Sequence, residues 1–192
     1  MPVGLPSLRA RTVVLVEGAS DAGAVHAMAA RRDRDLAAEG IAVVAMGGVT
    51  NIGRHLSAYG PPGQDLRLRG LYDEGEEHHV ARALQRAGLT ASTAREALAI
   101  SGFHACVVDL EDELIRSLGV AAAERVIAEV GDDGPYRTFL RQPFHRDRPD
   151  QLRLRRFLGT TSGRKIGYAP LLVAALPPGR EPAPLRALLT QL

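Results

Sequence analysis

Apolar and polar positions follow two rhythms along this chain, and the change of rhythm divides it in two. Four short apolar runs, residues 13–16, 41–46, 66–72 and 103–108, have the length of buried strands and are bounded by glycine or acidic residues. Between them lie stretches patterned as helices. These are an alanine-rich segment, 22–38, behind a candidate N-cap at Ser20; 50–59, capped by Thr50 or Asn51 and broken by Gly60-Pro61-Pro62-Gly63; 76–87, closed near Gly88; and a short 91–99. This alternation predicts an α/β fold: a parallel sheet of about four strands flanked by crossover helices.

From residue 109 onward the strands stop. Segments 109–118, 121–130, 136–140, 151–158, 165–176 and 183–192 all read as helical, with Gly119, Gly131, Pro143 and Pro177-Pro178-Gly179 between them. The expected organisation is an α/β core over residues 1–119 and a helical, basic C-terminal extension over 120–192 packed on it. The stripe Leu185, Leu188, Leu189 and Leu192 serves either the core of one chain or a contact between two, so a homodimer is a candidate assembly.

Composition narrows the field. With 192 residues, 45% of them apolar, the chain can bury a core of ordinary size. Its single cysteine, Cys106, lies inside an apolar run and reads as a buried small hydrophobe. No signal-peptide pattern or membrane-length apolar run occurs, which sets the expectation of a soluble, cytoplasmic protein without a membrane partner. The net charge of +2 conceals a polarity: residues 109–133 hold eight acids against two arginines, and residues 137–165 hold nine bases against two acids. A cation-attracting segment beside a polyanion-attracting one suits a nucleic-acid enzyme, although two solvated faces of opposite sign would look the same. Of the 24 basic residues only Lys165 is lysine, which reads either as a place needing a compact ammonium rather than a planar guanidinium or as a chance survivor of a strong arginine bias.

Three of the apolar runs end in acids. Val13–Val16 leads into Glu17 and Asp21, Leu71-Tyr72 into Asp73-Glu74-Gly75-Glu76-Glu77, and Phe103–Val108 into Asp109, Glu111, Asp112 and Glu113. The carboxyl ends of parallel strands open onto one crevice, so these acids are expected to converge. Converging carboxylates repel unless a cation sits among them, and oxygen ligands favour Mg2+ or Mn2+. Taken singly, Glu17 and Asp21 would pass for a strand end and a helix-dipole complement. No histidine or cysteine spacing fits zinc, since His78 and His79 are adjacent and point to different helix faces. The Gly47-Gly48 turn reads either as a plain turn or as a phosphate-binding helix start.

These residues resemble a known family. Val-Glu-Gly-Ala-Ser-Asp at 16–21, the Asp73-Glu74-Gly75 turn and Asp109-Leu110-Glu111-Asp112-Glu113-Leu114-Ile115 are similar to a TOPRIM domain, a Rossmann-like parallel sheet flanked by helices. More narrowly, they resemble the TOPRIM nuclease domain of the OLD (overcoming lysogenisation defect) family over residues 13 to about 118, with a helical tail of the same type to about 176. The resemblance implies that Glu17 and Asp21 serve one metal, that Asp73 opens a DxD-type motif, and that Asp109 with Glu111 completes a second metal site. It implies a catalytic role for Glu17, and for a lysine, for which Lys165 is the candidate. Gly75 departs from the pattern by standing where a second aspartate belongs, so Glu74, Glu76 or a water must fill that place. OLD proteins carry an ATPase domain ahead of TOPRIM; this sequence has about twelve residues before its first strand and no phosphate-loop motif, which leaves a separate ATPase as a candidate partner.

The expected activity is Mg2+- or Mn2+-dependent hydrolysis of phosphodiester bonds in nucleic acid, DNA above all. Arg137, Arg141, Arg153, Arg155 and Arg156 would hold the backbone, unless Arg153, Arg155 and Arg156 are spent on ion pairs with the acidic segment. An aromatic content of 4% speaks against extensive base stacking. A non-catalytic nucleic-acid-binding module is the alternative favoured by Gly75. A receiver-like phosphorylation domain fits less well, because a glycine follows Glu17 and Lys165 lies far from the last strand.

Overall fold

The computed structural model describes residues 10–160 and 163–192, so residues 1–9 of the expected 1–119 core lie outside the description. Strands β1 (Thr12–Val16), β2 (Ile41–Ala45), β3 (Arg67–Asp73) and β4 (Phe103–Cys106) form one parallel sheet in the order β2-β1-β3-β4. All five residues of β1 are buried, as expected of a central parallel strand covered on both faces. Successive side chains point to opposite sides: Val13 and Leu15 join one core, Val14 and Val16 the other. β3 tolerates a glycine in mid-strand because Gly70 lies under the Phe103 ring; a Cβ there would stand 2.8 Å from that ring and 2.7 Å from the Leu15 carbonyl oxygen.

One face is covered by α2 (Ile52–Tyr59), α3 (Glu77–Arg86) and α4 (Arg95–Ile100), whose Ile52, Leu56, Val80, Leu84 and Leu98 meet Leu15, Tyr72 and Phe103. The opposite face carries α1 (Ala19–Ala30) and α5 (Leu110–Leu118). The remaining helices build onto that layer: α6 (Val120–Glu129), α7 (Asp133–Leu140), α8 (Asp150–Gly159), α9 (Arg164–Ala175) and α10 (Ala183–Thr190). Leu185, Leu188 and Leu189 of α10 share a core with Val25 and Met28 of α1, which settles the leucine stripe in favour of packing within the chain.

The first helix departs from expectation. It runs over Ala19–Ala30 rather than 22–38, and the chain turns at Asp33, which adopts a φ of 54°. The charged residues beyond Ala30 have other partners. Arg31 donates to the carbonyls of Ala174 and Leu176, Arg34 to that of Leu189, and Asp35 accepts from the amides of Ala37 and Ala38. Carbonyl groups at the ends of α9 and α10, far off in sequence, thus capture the arginines that would have extended α1. Ser20 is not the cap either: Gly18 takes that position, and Ser20 lies buried as the second residue of the helix. β4 also stops two residues short, at Cys106, leaving Val107 and Val108 exposed.

Candidate active site

Two strand ends define the site. The chain passes from β1 outward to β2 and then returns to β3 on the other side of β1, so the crevice between the carboxyl ends of β1 and β3 is the topological switch point. Glu17 follows β1 directly and Asp73 closes β3. Asp21, in the first turn of α1, accepts a 2.8 Å bond from the Gly18 amide. The amides of Gly47 and Gly48 donate to the Glu17 carbonyl at 3.0 and 3.1 Å. That turn therefore braces the backbone of Glu17, and its amides are not left for a phosphate.

The third acidic group arrives through a strained turn. Val108 has a φ of 69°, a left-handed conformation that costs a β-branched residue on the order of 1–3 kcal/mol. Neighbours enforce it. Glu113 accepts from the Val107 amide at 2.9 Å and is itself held by Arg116 at 2.7 Å. The turn delivers Asp109 as the cap of α5, its Oδ1 accepting from the Asp112 amide at 2.8 Å, with only 5% of the residue exposed.

Electrostatics show that the acids share one field. Burial pushes the Asp73 carboxyl up to about 7, helped by the charges of Glu17, Asp109, Asp21 and Glu111. Burial and then Glu111 push Asp21 up to about 6. Glu17 is raised by burial first and by Glu76 next. Lys165 enters this field from α9, its Nζ 3.0 Å from Glu111 Oε2 and 3.9 Å from Asp109 Oδ2. Burial alone would depress its ammonium, but Glu111, Asp109 and Asp21 more than offset that and hold it above the ordinary lysine value. Arg155 also binds Asp109 Oδ2, at 2.7 Å, and Ser20 donates to Glu111 Oε1 at 2.5 Å.

Glu17, Asp21, Asp73, Asp109 and Glu111 are thus brought within electrostatic reach of one another and of Lys165. Among the described residues, however, no three His, Cys, Asp or Glu side chains close onto a single point tightly enough to chelate an ion. Lys165 and Arg155 meet part of the charge instead. The choice left open by Gly75 also narrows: Glu74 is engaged by Arg95 at 2.7 Å, whereas the charge of Glu76 acts on Glu17. Of the two neighbours, Glu76 is the one whose charge is felt at Glu17.

Beside the acids runs an open groove of about 1110 Å3, lined by Arg155, Arg156, Arg164, Lys165, Phe144 and Phe157, with Asp109 at its edge. Only two of the five arginines expected to hold a backbone, Arg155 and Arg156, line it. Arg137 pairs with Asp133 at 3.0 Å on an exposed part of α7, Arg153 pairs with Asp150, and Arg141 is exposed away from the groove. The ion pair between Arg155 and the acidic segment is present as well, so this arginine serves both roles considered for it. Sequence reasoning missed Arg164, which lies 4.3 Å over the Phe157 ring, and Ser20, whose partner is 91 residues away. For Ser20 the one available signal was its place between Glu17 and Asp21. Cys106 is buried, as are His55, His104 and His145, so none of these is offered to a ligand at the surface.

Comparison with known proteins agrees with this architecture. Residues 8–60 match the family model described as "Overcoming lysogenization defect protein-like, TOPRIM domain". The fold is similar to the C-terminal region of the Xanthomonas campestris pv. campestris OLD protein, with a TM-score of 0.73 and 22% identity over 94% of this chain and 91% of that one. It is also similar to the C-terminal region of the Burkholderia pseudomallei OLD protein, with a TM-score of 0.70 and 19% identity over 94% of this chain and 96% of that one. No curated protein gives a significant sequence match.

Proposed function

We propose that this chain is a divalent-metal-dependent nuclease acting on DNA, a reading supported by the match of residues 8–60 to the OLD-like TOPRIM family model and by the likeness of its fold to the C-terminal regions of OLD proteins. One observation carries the reading: carboxylates from three strand ends share one field at the switch point, where Glu17, Asp21 and Asp73 hold their protons more tightly, and a lysine from a distant helix binds Glu111. TOPRIM domains generally bind divalent metal ions, and the donors here are all oxygen, as Mg2+ or Mn2+ requires. The charge build-up is of the kind such an ion relieves, so the residues fit it chemically. Glu17, Asp21 and Asp73 would hold it, with Glu76 in place of the missing second aspartate, and Asp109 with Glu111 would hold a second.

When bound, the ion acidifies a water and offsets charge on the scissile phosphate. The protein's own groups do the rest. Asp109 and Glu111 would hold an ion with the oxygens that Arg155 and Lys165 now engage, which would leave those two cations for the phosphate. Lys165 stabilises charge on the leaving oxygen as a compact cation, and Arg155 and Arg156 fix the strand through backbone contacts that read no sequence. Ser20 keeps one oxygen of Glu111 oriented meanwhile.

The test uses supercoiled plasmid with Mg2+ or Mn2+. Wild-type protein is expected to nick or linearise it, and Glu17→Ala and Asp109→Ala to lower the rate by at least about a hundredfold. Cleavage by both variants at the wild-type rate discards the site. A non-catalytic binding module is the second reading, favoured by Gly75 and by the engagement of Asp109 and Glu111 with Arg155 and Lys165. It predicts steeply salt-dependent DNA binding, no cutting, and no measurable affinity for Mg2+.

A further inference from the structure

The groove beside the acids holds most of the chain's phenylalanine. The sequence has four phenylalanines and no tryptophan, and Phe139, Phe144 and Phe157 all line this one groove. Two of them are structural. Phe139 and Phe157 are buried and pack edge to face at 5.6 Å, and Tyr136 closes on Phe157 at 4.9 Å. Phe144 is different: it is 60% exposed, although burying it would be favourable by roughly 1.5–3 kcal/mol. It sits in the middle of a single 3₁₀ turn next to buried His145, whose ring stacks on Phe139 at 3.9 Å, so its backbone is anchored while its ring stays open.

Cations surround that ring. Arg148 lies 4.1 Å and Arg156 5.2 Å from its centroid. Arg155, Arg164 and Lys165 line the same groove, and its one acidic lining residue, Asp109, is already paired with Arg155. An exposed apolar ring in a cationic groove selects a ligand with flat apolar faces and a regularly charged backbone. In duplex DNA the base faces are covered by stacking. Only unpaired nucleotides can lay a base on an aromatic ring while their phosphates reach the arginines.

We propose that this groove binds single-stranded or unpaired nucleic acid, with one base stacked on Phe144 and the neighbouring phosphates held by Arg148, Arg156 and Arg164. Phe144 is a specificity-determining residue that selects unpaired over paired strands for delivery towards Lys165 and the acids. The inference deepens the nuclease reading and rests on it for the word delivery, but the binding itself is separable.

The experiment is therefore done in EDTA, where no metal-dependent cutting occurs. Fluorescence anisotropy of labelled single-stranded and blunt duplex oligonucleotides of equal length is expected to show single strands bound about tenfold or more tightly. Phe144→Ala should lose about tenfold in single-strand affinity and leave duplex affinity unchanged, and Phe144→Trp should retain binding. Because the chain has no other tryptophan, Phe144→Trp also supplies a single reporter, whose emission should be quenched by single strands and not by duplex. Equal affinity for both forms, no effect of Phe144→Ala, or no quenching of the introduced indole would each overturn the proposal. A protein that never cuts plasmid yet shows the single-strand preference would sink the nuclease reading and leave this one standing.

Discussion

Gly75 shows how much one residue decides at the acidic site. It stands where the TOPRIM-like pattern places a second aspartate, yet its surroundings would accept a side chain: an added Cβ meets nothing within 4 Å. Glu76, whose charge already raises Glu17, is the nearest substitute. Gly75→Asp is accordingly expected to fold normally and to tighten Mn2+ binding, measured by calorimetry, on the order of tenfold. An unchanged affinity would show that Glu76 already fills the place. Val108 makes a related point. A β-branched residue held at positive φ is a local cost, and it persists because Glu113 and Arg116 lock the turn that aims Asp109.

Among the elements, α9 matters most, because it carries Lys165 from the far end of the chain to the carboxylates. It reaches them by crossing α1 at close range, where a Cβ on Gly23 would come within 3.2 Å of the Pro170 ring. Gly23→Val should push the two helices apart and cost about 1–3 kcal/mol, a fall of several degrees in melting temperature for a chain of this size. Plasmid cleavage should fall with it, as Lys165 withdraws. Gly23→Ala, which adds one methyl, should do much less. If Gly23→Val melts with the wild type, the close approach is not what seats α9. Arg31 and Arg34 contribute from the other side by tying the end of α1 to carbonyls at the C-terminal ends of α9 and α10.

For the whole molecule, the shared field of the acids should appear as a pH dependence of stability. Asp73 releases its proton near 3.8 when unfolded and near 7 in the fold, and Asp21 near 6 in the fold. A carboxyl whose affinity for protons is raised by folding stabilises fully below its unfolded value, and that stability is lost as pH rises through the folded value. In chelator, the unfolding free energy should therefore fall between about pH 4 and pH 7, by at most about 1.4 kcal/mol per pH unit from Asp73 before solvent screening reduces it, and the melting temperature should fall with it. Asp73→Asn should flatten that slope, and Mg2+ should stabilise more at pH 8 than at pH 5. Thermal melts of wild type and variant across this range, with and without Mg2+, check all three. Equal slopes in the two proteins would remove Asp73 from the shared field.

What could be read along the chain was whatever depends on near neighbours. Largely apolar runs ending in Glu17, Asp73 and Asp109 specify buried parallel strands with acids at their exits, because side-chain burial and strand length leave their mark locally. The helical tail announced itself in the same way, though not the end of α1, which distant carbonyls decided. Tertiary structure alone determined which remote groups meet: Ser20 with Glu111, Arg155 with Asp109, Lys165 with both acids, and three phenylalanines in a single groove. Local patterning encodes that a residue is buried or charged, whereas its partner depends on how helices cross, and that is settled by packing across the entire core.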